Sequence, residues 1–121
     1  MKGLGNDIIE IERVGESYKE HGERFLDRVL TPKEKAYCLK HEDLTQHLAA
    51  RFCAKEAIAK ALGVGIGEHL SWQDIEILND AKGKPCVTFS PSAIKAFGNP
   101  KVLLSISHCK LYVTAVALWT S

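Results

Sequence analysis

The sequence predicts an α+β fold, with helices packed on a mostly antiparallel sheet. Two observations carry it: helix signals are segregated in the first half of the chain, and the second half turns to short apolar strands joined as hairpins. A chain of 121 residues has material for one core, so 1–121 is read as a single domain.

Residues 2–11 have the period of a strand, with Gly3, Gly5, Asp7, Ile9 and Ile11 facing one way and Leu4, Asn6 and Ile8 the other. A helical region follows from about Val14 to Val29, with Gly15 and Gly22 as weak points. Thr31-Pro32-Lys33-Glu34 is a capping box with proline at the first helical position, and it opens a helix to about Lys40. Asp43 with Gln46 starts the next helix, which runs on good helix formers through Leu62 and stops at Gly63. Strands Asp74–Leu78 and Cys86–Phe89 flank a hairpin loop from Asn79 to Pro85. Ser90-Pro91 starts a short helix ended by Gly98 and Pro100, and two apolar strands, Lys101–Ser107 and Leu111–Trp119, are joined around His108-Cys109-Lys110.

Sixteen basic residues stand against fifteen acidic ones, a net charge of +1, which gives no reason to expect nucleic-acid binding. No apolar stretch reaches the roughly 18 residues of a membrane span, and the charged start MKGLGNDIIEIER is unlike a signal peptide. Cys38, Cys53, Cys86 and Cys109 lack CxxC spacing, so a reduced, cytoplasmic chain is expected.

Four places could carry chemistry. Asp7 shares a strand face with Ile9 and Ile11, where it either sits near an edge or ligates a metal. Glu56 lies on a stripe with Ala49, Cys53 and Lys60, beside an apolar face of Leu48, Phe52 and Ala59. It is either an ordinary i,i+4 partner of Lys60 or one of two carboxylates facing a cleft. Lys60 comes one turn before Gly63-Val64-Gly65-Ile66-Gly67, a helix stop that could also admit phosphate, although no Walker pattern is present. His108, at a strand end beside Ser107, is either a phosphate donor or a turn histidine.

Taken together these residues resemble a known family. Gly5-Asn6-Asp7-Ile8-Ile9-Glu10-Ile11-Glu12-Arg13 is similar to the G-x-D-[IV]-x-E-[IL]-x-R signature of holo-acyl-carrier-protein synthases, 4′-phosphopantetheinyl transferases. Arg51-Phe52-Cys53-Ala54-Lys55-Glu56-Ala57-Ile58-Ala59-Lys60-Ala61-Leu62-Gly63 resembles their R-F-A-x-K-E-A-x-x-K-A-[FL]-G helix. Gly65-Ile66-Gly67, Asn79-Asp80, Gly83-Lys84-Pro85 and Ser105-Ile106-Ser107-His108 with Tyr112 and Ala115 fall in order at the family's spacing. Cys109 stands where the family usually has Ser or Thr, and Val113 replaces an alanine.

The resemblance implies a small domain of the 4′-phosphopantetheinyl transferase fold that forms a homotrimer, with coenzyme A between subunits. It implies transfer of 4′-phosphopantetheine from coenzyme A to a serine of apo-acyl carrier protein, releasing 3′,5′-ADP, in support of fatty acid biosynthesis. Asp7 and Glu56 would ligate Mg²⁺, with Lys60 as the third catalytic residue. Lys60, Gly63 and His108 would contact the coenzyme A phosphates, while Arg51 and Pro85 would line the nucleotide site. Arg13, Arg24, Phe25 and Arg28 would receive the acidic carrier protein. The rival readings are another Mg²⁺-dependent nucleotide transferase or pyrophosphohydrolase, and a non-catalytic carrier-protein adaptor.

Overall fold

The computed structural model describes residues 1–121. Strand β1 (Gly3–Glu10) leads into α1 (Ile11–His21), α2 (Glu23–Val29), α3 (Pro32–Leu39) and the long α4 (Leu44–Ala61). A 3₁₀ turn (Trp72–Asp74) precedes the hairpin β2 (Ile75–Asn79) and β3 (Pro85–Phe89). Then come α5 (Pro91–Phe97), β4 (Val102–His108) and β5 (Tyr112–Trp119). The main sheet has the order β1-β5-β4, antiparallel throughout, and β2-β3 forms a separate ribbon. The α+β expectation holds, with helices layered on one face of the sheet.

The predicted caps are in place. Thr31 and Glu34 close the capping box of α3, with the Glu34 backbone N–H donating to Thr31 Oγ1 and the Thr31 N–H to Glu34 Oε1. Asp43 accepts from the Gln46 N–H at the start of α4. Three boundaries differ from expectation. The chain turns helical at Ile11 instead of Val14, and the single region to Val29 is two helices, because Gly22 takes a φ of +61° that breaks the backbone run. The 3₁₀ turn gave no periodic signal, being only three residues long.

Helix α4 lies against the sheet and is covered on its other sides by α1, α2 and α3. It is therefore buried well beyond the expected single face: Ala54, Ala57, Ile58 and Ala61 are inside along with Leu48 and Ala59. Its approach to β1 depends on two glycines. A Cβ on Gly5 would lie 1.9 Å from the Ala57 carbonyl oxygen, and one on Gly3 the same distance from that of Ala61. The two elements run in opposite directions with matched steps. Two strand residues advance about 6.7 Å and four helical residues about 6 Å. The next step along both places Asp7 beside Cys53.

The interior also holds an ion pair. Lys55 and Glu34 are both fully buried, and Lys55 Nζ lies 2.6 Å from Glu34 Oε1. The ammonium also donates to the carbonyls of Val29 (2.8 Å) and Trp72 (2.9 Å). Burial outweighs the attraction of Glu34 and holds the Lys55 pKa below the ordinary lysine value. Removing one partner of such a pair typically costs about 3–5 kcal/mol.

The outer face of the sheet is different. Leu4, Ile8, Leu103 and Val116 remain exposed there, at 63%, 62%, 56% and 40%. The inward residues Val113, Ala115 and Ala117 are fully buried.

Candidate active site

β1 and α4 bring Asp7, Glu56 and Lys60 together. Asp7 is on the inward face of β1, where the Thr114 hydroxyl donates to its carbonyl (3.1 Å) and fixes the strand. Lys60 Nζ donates to Asp7 Oδ1 (3.1 Å) and to the Asn6 carbonyl (3.0 Å). An ammonium has three donors, so one N–H stays available on the solvent side, where Lys60 is 53% exposed. Glu56 is one turn before Lys60 and half-buried. Burial first, and the negative charge of Asp7 second, push its carboxyl above the ordinary glutamate value, against the pull of Lys60. Two hard carboxylates repelling each other beside one cation suit a divalent ion with oxygen ligands. No group of three or more His, Cys, Asp or Glu side chains is placed to hold a metal ion.

The thiol of Cys53 closes the inner wall. Its Sγ donates to the Val113 carbonyl (3.6 Å), and burial together with the Asp7 charge raises its pKa to about 12, so it stays a neutral thiol. Its position on the Glu56 stripe was the sequence signal for this contact.

Gly63 ends α4 with a φ of +80°. Its N–H bonds the Lys60 carbonyl and that of Val64 bonds Ala59, the two bonds of a Schellman cap. The Gly63 amide is thus engaged already. In the glycine-rich loop, the free donors are the N–H groups of Gly65 and Ile66.

The other sequence-predicted residues sit apart. His108 is exposed at the end of β4, across β5 from Ile9, since both strands pair with Val113. Gln46 Nε2 reaches its ring at 2.9 Å, a contact between positions 62 apart that carried no sequence signal. Arg51 is only 3% exposed. Its Nε donates to the Ile77 carbonyl (3.2 Å), its Nη2 to Asn79 Oδ1 (3.0 Å), and its guanidinium lies 4.5 Å from the Tyr37 ring centroid. Within one chain Arg51 is thus held in place by β2 and Tyr37. Pro85 starts β3 directly opposite Asn79.

Arg13, Arg24, Phe25 and Arg28 share one groove. A cleft of about 300 Å³ is lined by Ile8, Ile9, Val14, Ser17, Phe25 and Phe52, with Arg13 and Glu10 as its one basic and one acidic residue. A second of about 260 Å³ is lined by His21, Arg24 and Arg28 and again by Ser17 and Phe25. Phe25 is 5% exposed and forms the wall common to both clefts, stacked on Phe52 and covered by Arg28. The groove ends at Ile8 and Ile9, next to Asp7 in β1.

Residues 3–117 match the profile of the 4′-phosphopantetheinyl transferase superfamily, and the chain belongs to that family of enzymes. Within it the chain is similar to holo-[acyl-carrier-protein] synthases. The protein of that name from Protochlamydia amoebophila is 56% identical over 119 residues, covering 98% of both chains. The crystal structure of the Neisseria meningitidis holo-[acyl-carrier-protein] synthase superposes with a TM-score of 0.92 at 35% identity, over 100% of this chain and 99% of that one. The Helicobacter pylori synthase, solved in complex with coenzyme A, gives 0.87 at 36% identity over 97% and 99%.

Proposed function

We propose that the chain acts as a holo-acyl-carrier-protein synthase whose reacting centre is Asp7, Glu56 and Lys60. The reaction moves 4′-phosphopantetheine from coenzyme A to a serine of apo-acyl carrier protein and leaves 3′,5′-ADP. The observation that carries the assignment is the meeting of these three side chains, with Asp7 directly before Ile8 and Ile9, the β1 residues that line the cleft of Arg13 and Phe25.

The carrier serine oxygen forms a bond to the phosphorus that bears pantetheine, its proton passes to water or to Glu56, and the bond to the bridging oxygen breaks, so that this oxygen leaves with 3′,5′-ADP. Such a transfer needs alignment and charge neutralisation more than covalent help. Asp7 and Glu56 would hold Mg²⁺, which supplies charge neutralisation at the pyrophosphate. The free N–H of Lys60 points to solvent and suits a phosphate oxygen. His108 and the Gly65 and Ile66 amides supply further donors from β4 and the loop after α4. The groove's arginines draw the acidic carrier protein in, and Phe25 with Val14 and Ile9 gives its helix an apolar seat.

His108, Arg51 and Pro85 do not meet the carboxylates within one chain. Their separation, with the bare apolar face of the sheet, supports a homotrimer in which neighbouring subunits complete the coenzyme A cleft; the number three follows from the family resemblance. No helix is long and apolar enough to cross a membrane, and the four cysteines are unpaired, which supports work in the cytoplasm, in fatty acid biosynthesis.

Mass spectrometry of apo-carrier protein incubated with coenzyme A, Mg²⁺ and the enzyme tests the reading. The expected result is one phosphopantetheine per carrier and an equal amount of 3′,5′-ADP. Cleavage of coenzyme A with an unmodified carrier would mark a pyrophosphohydrolase, and no change in either an adaptor.

A further inference from the structure

The β2-β3 ribbon has one edge with no neighbouring strand, and charged side chains take that strand's place. Ser90 bonds Asp74, and Asp80 bonds Lys84, so the even positions of β2 face β3. Ile77 therefore turns its N–H and C=O outward, toward α3 and α4. The N–H donates to Glu34 Oε2 (2.7 Å), and the C=O accepts from Arg51 Nε (3.2 Å). Neither buried polar atom is left over, and no buried side-chain nitrogen or oxygen in the protein lacks a partner.

These bonds are links in one chain of contacts. Lys55, rooted on the Val29 and Trp72 carbonyls, holds Glu34. Glu34 holds Ile77, Ile77 shares Arg51, and Arg51 holds Asn79. Asn79 Nδ2 in turn donates to the Gly83 carbonyl (2.9 Å), across the loop that ends at Pro85. Lys55 directly precedes Glu56, so one network ties the reacting helix to the tip of the hairpin.

We propose that Lys55 and Glu34 are positioning residues for the nucleotide half of coenzyme A, acting through Ile77, Arg51 and Asn79 on the loop from Asn79 to Pro85. This rests on the reading that the loop meets the nucleotide. A buried ion pair is seldom needed for stability, since an apolar or neutral pair of similar volume often serves as well. Its directional bonds, by contrast, fix where Ile77 sits relative to α4.

The test is the neutral double variant Lys55→Met/Glu34→Gln, with Glu34→Asp as a milder second that keeps the charge and shortens the reach to Ile77. Asn79→Ala is the control for the loop's role. The expected result is a folded protein in which the coenzyme A KM rises about tenfold, equivalent to ~1.4 kcal/mol. The carrier-protein KM and kcat stay within about twofold, the range of a contact that acts on binding only. Amide exchange should quicken from Ile77 to Lys84 and stay unchanged in α4. If the double variant fails to fold, the same split in Glu34→Asp decides. If Asn79→Ala raises the coenzyme A KM and the pair variants do not, the positioning role is overturned and the loop assignment stands. If Asn79→Ala also leaves it unchanged, the loop assignment is wrong and the proposal falls with it. A fall in kcat with both KM values unmoved would mark the pair as merely structural and overturn the proposal.

Discussion

Lys60 Nζ lies 3.1 Å from Asp7 Oδ1, joining a helix and a strand that are 53 residues apart in sequence. Half of Lys60 remains in solvent. In an exposed setting such a pair adds about 0–1 kcal/mol to stability. Its value lies in placement.

Asp7→Asn and Glu56→Gln should each abolish turnover while the protein stays folded, because each removes a charge and little volume. Chelator should silence the wild type and Mg²⁺ restore it. Single-turnover assays with circular dichroism as the fold control check this, and full activity in either variant would remove the metal assignment.

Glu56 also predicts a dependence on pH. Its carboxyl is raised above 4.5 in the folded state, so the native protein binds more protons than the unfolded chain between 4.5 and the raised value. Stability therefore falls as pH rises through that window, and the ionised group is a net cost above it. Glu56→Gln should match or exceed the wild-type Tm at neutral pH, with the difference closing as pH falls below 4.5. Mg²⁺ should raise the Tm of the wild type and not that of the variant. Scanning calorimetry with and without the ion reads both, and a variant that melts well below wild type at neutral pH contradicts the sign.

Gly5→Ala should be severe for so small a change. The new methyl would meet the Ala57 carbonyl oxygen at 1.9 Å and the Ala61 nitrogen at 2.6 Å, both backbone atoms that cannot swing aside. A loss of about 3 kcal/mol is expected, the upper range of overpacking. Asp7 would shift away from α4, so kcat should fall in the fraction that remains folded. Urea titration and assays at low temperature separate the two effects.

Charge reversal in the groove should affect one substrate only. Arg24→Glu or Arg28→Glu is expected to raise the carrier-protein KM by tenfold or more, about the size of a rim charge reversed at an interface, and to leave the coenzyme A KM nearly unchanged. Added salt should weaken the wild-type reaction in the same direction. A change in the coenzyme A KM with constant carrier KM would place this groove in the nucleotide site.

The outer sheet face predicts association. Multi-angle light scattering at micromolar concentration should give three chains, and Leu103→Glu, which sets a charge among Leu4, Val116 and Leu118, should give one. That monomer should lose activity if neighbouring subunits share the site. A wild-type monomer with full activity excludes the assembly.

The cap residues made most helix boundaries legible. Thr31 with Glu34, Asp43 with Gln46, and Gly63 each act within four residues, and all three stand where expected. Asp7 was legible as a charge on an inward strand face, and Glu56 as one at the margin of a helical stripe. Lys55 was not. A lysine next to a glutamate on a helix reads as a solvated pair, and only tertiary contact with Glu34, 21 positions earlier, takes it inside. The same limit hid the burial of Phe25 and Arg51 and the meeting of Gln46 with His108. Each depends on which surfaces fold over one another, for which no local pattern exists.

β1 pairs with β5 along its whole length, from Gly3 opposite Trp119 to Glu10 opposite Tyr112. β1 is thus synthesised before the other four strands and its partner β5 last. Until Tyr112 to Trp119 emerge, β1 has no sheet to join, and only its contacts with α4, the Lys60 ion pair among them, hold Asp7. A nascent or C-terminally truncated chain would carry Glu56 and Lys60 on α4 with Asp7 on an unpaired strand. Turnover would then require synthesis through β5, and a chain stalled before Tyr112 would be silent toward coenzyme A chemistry instead of partly active.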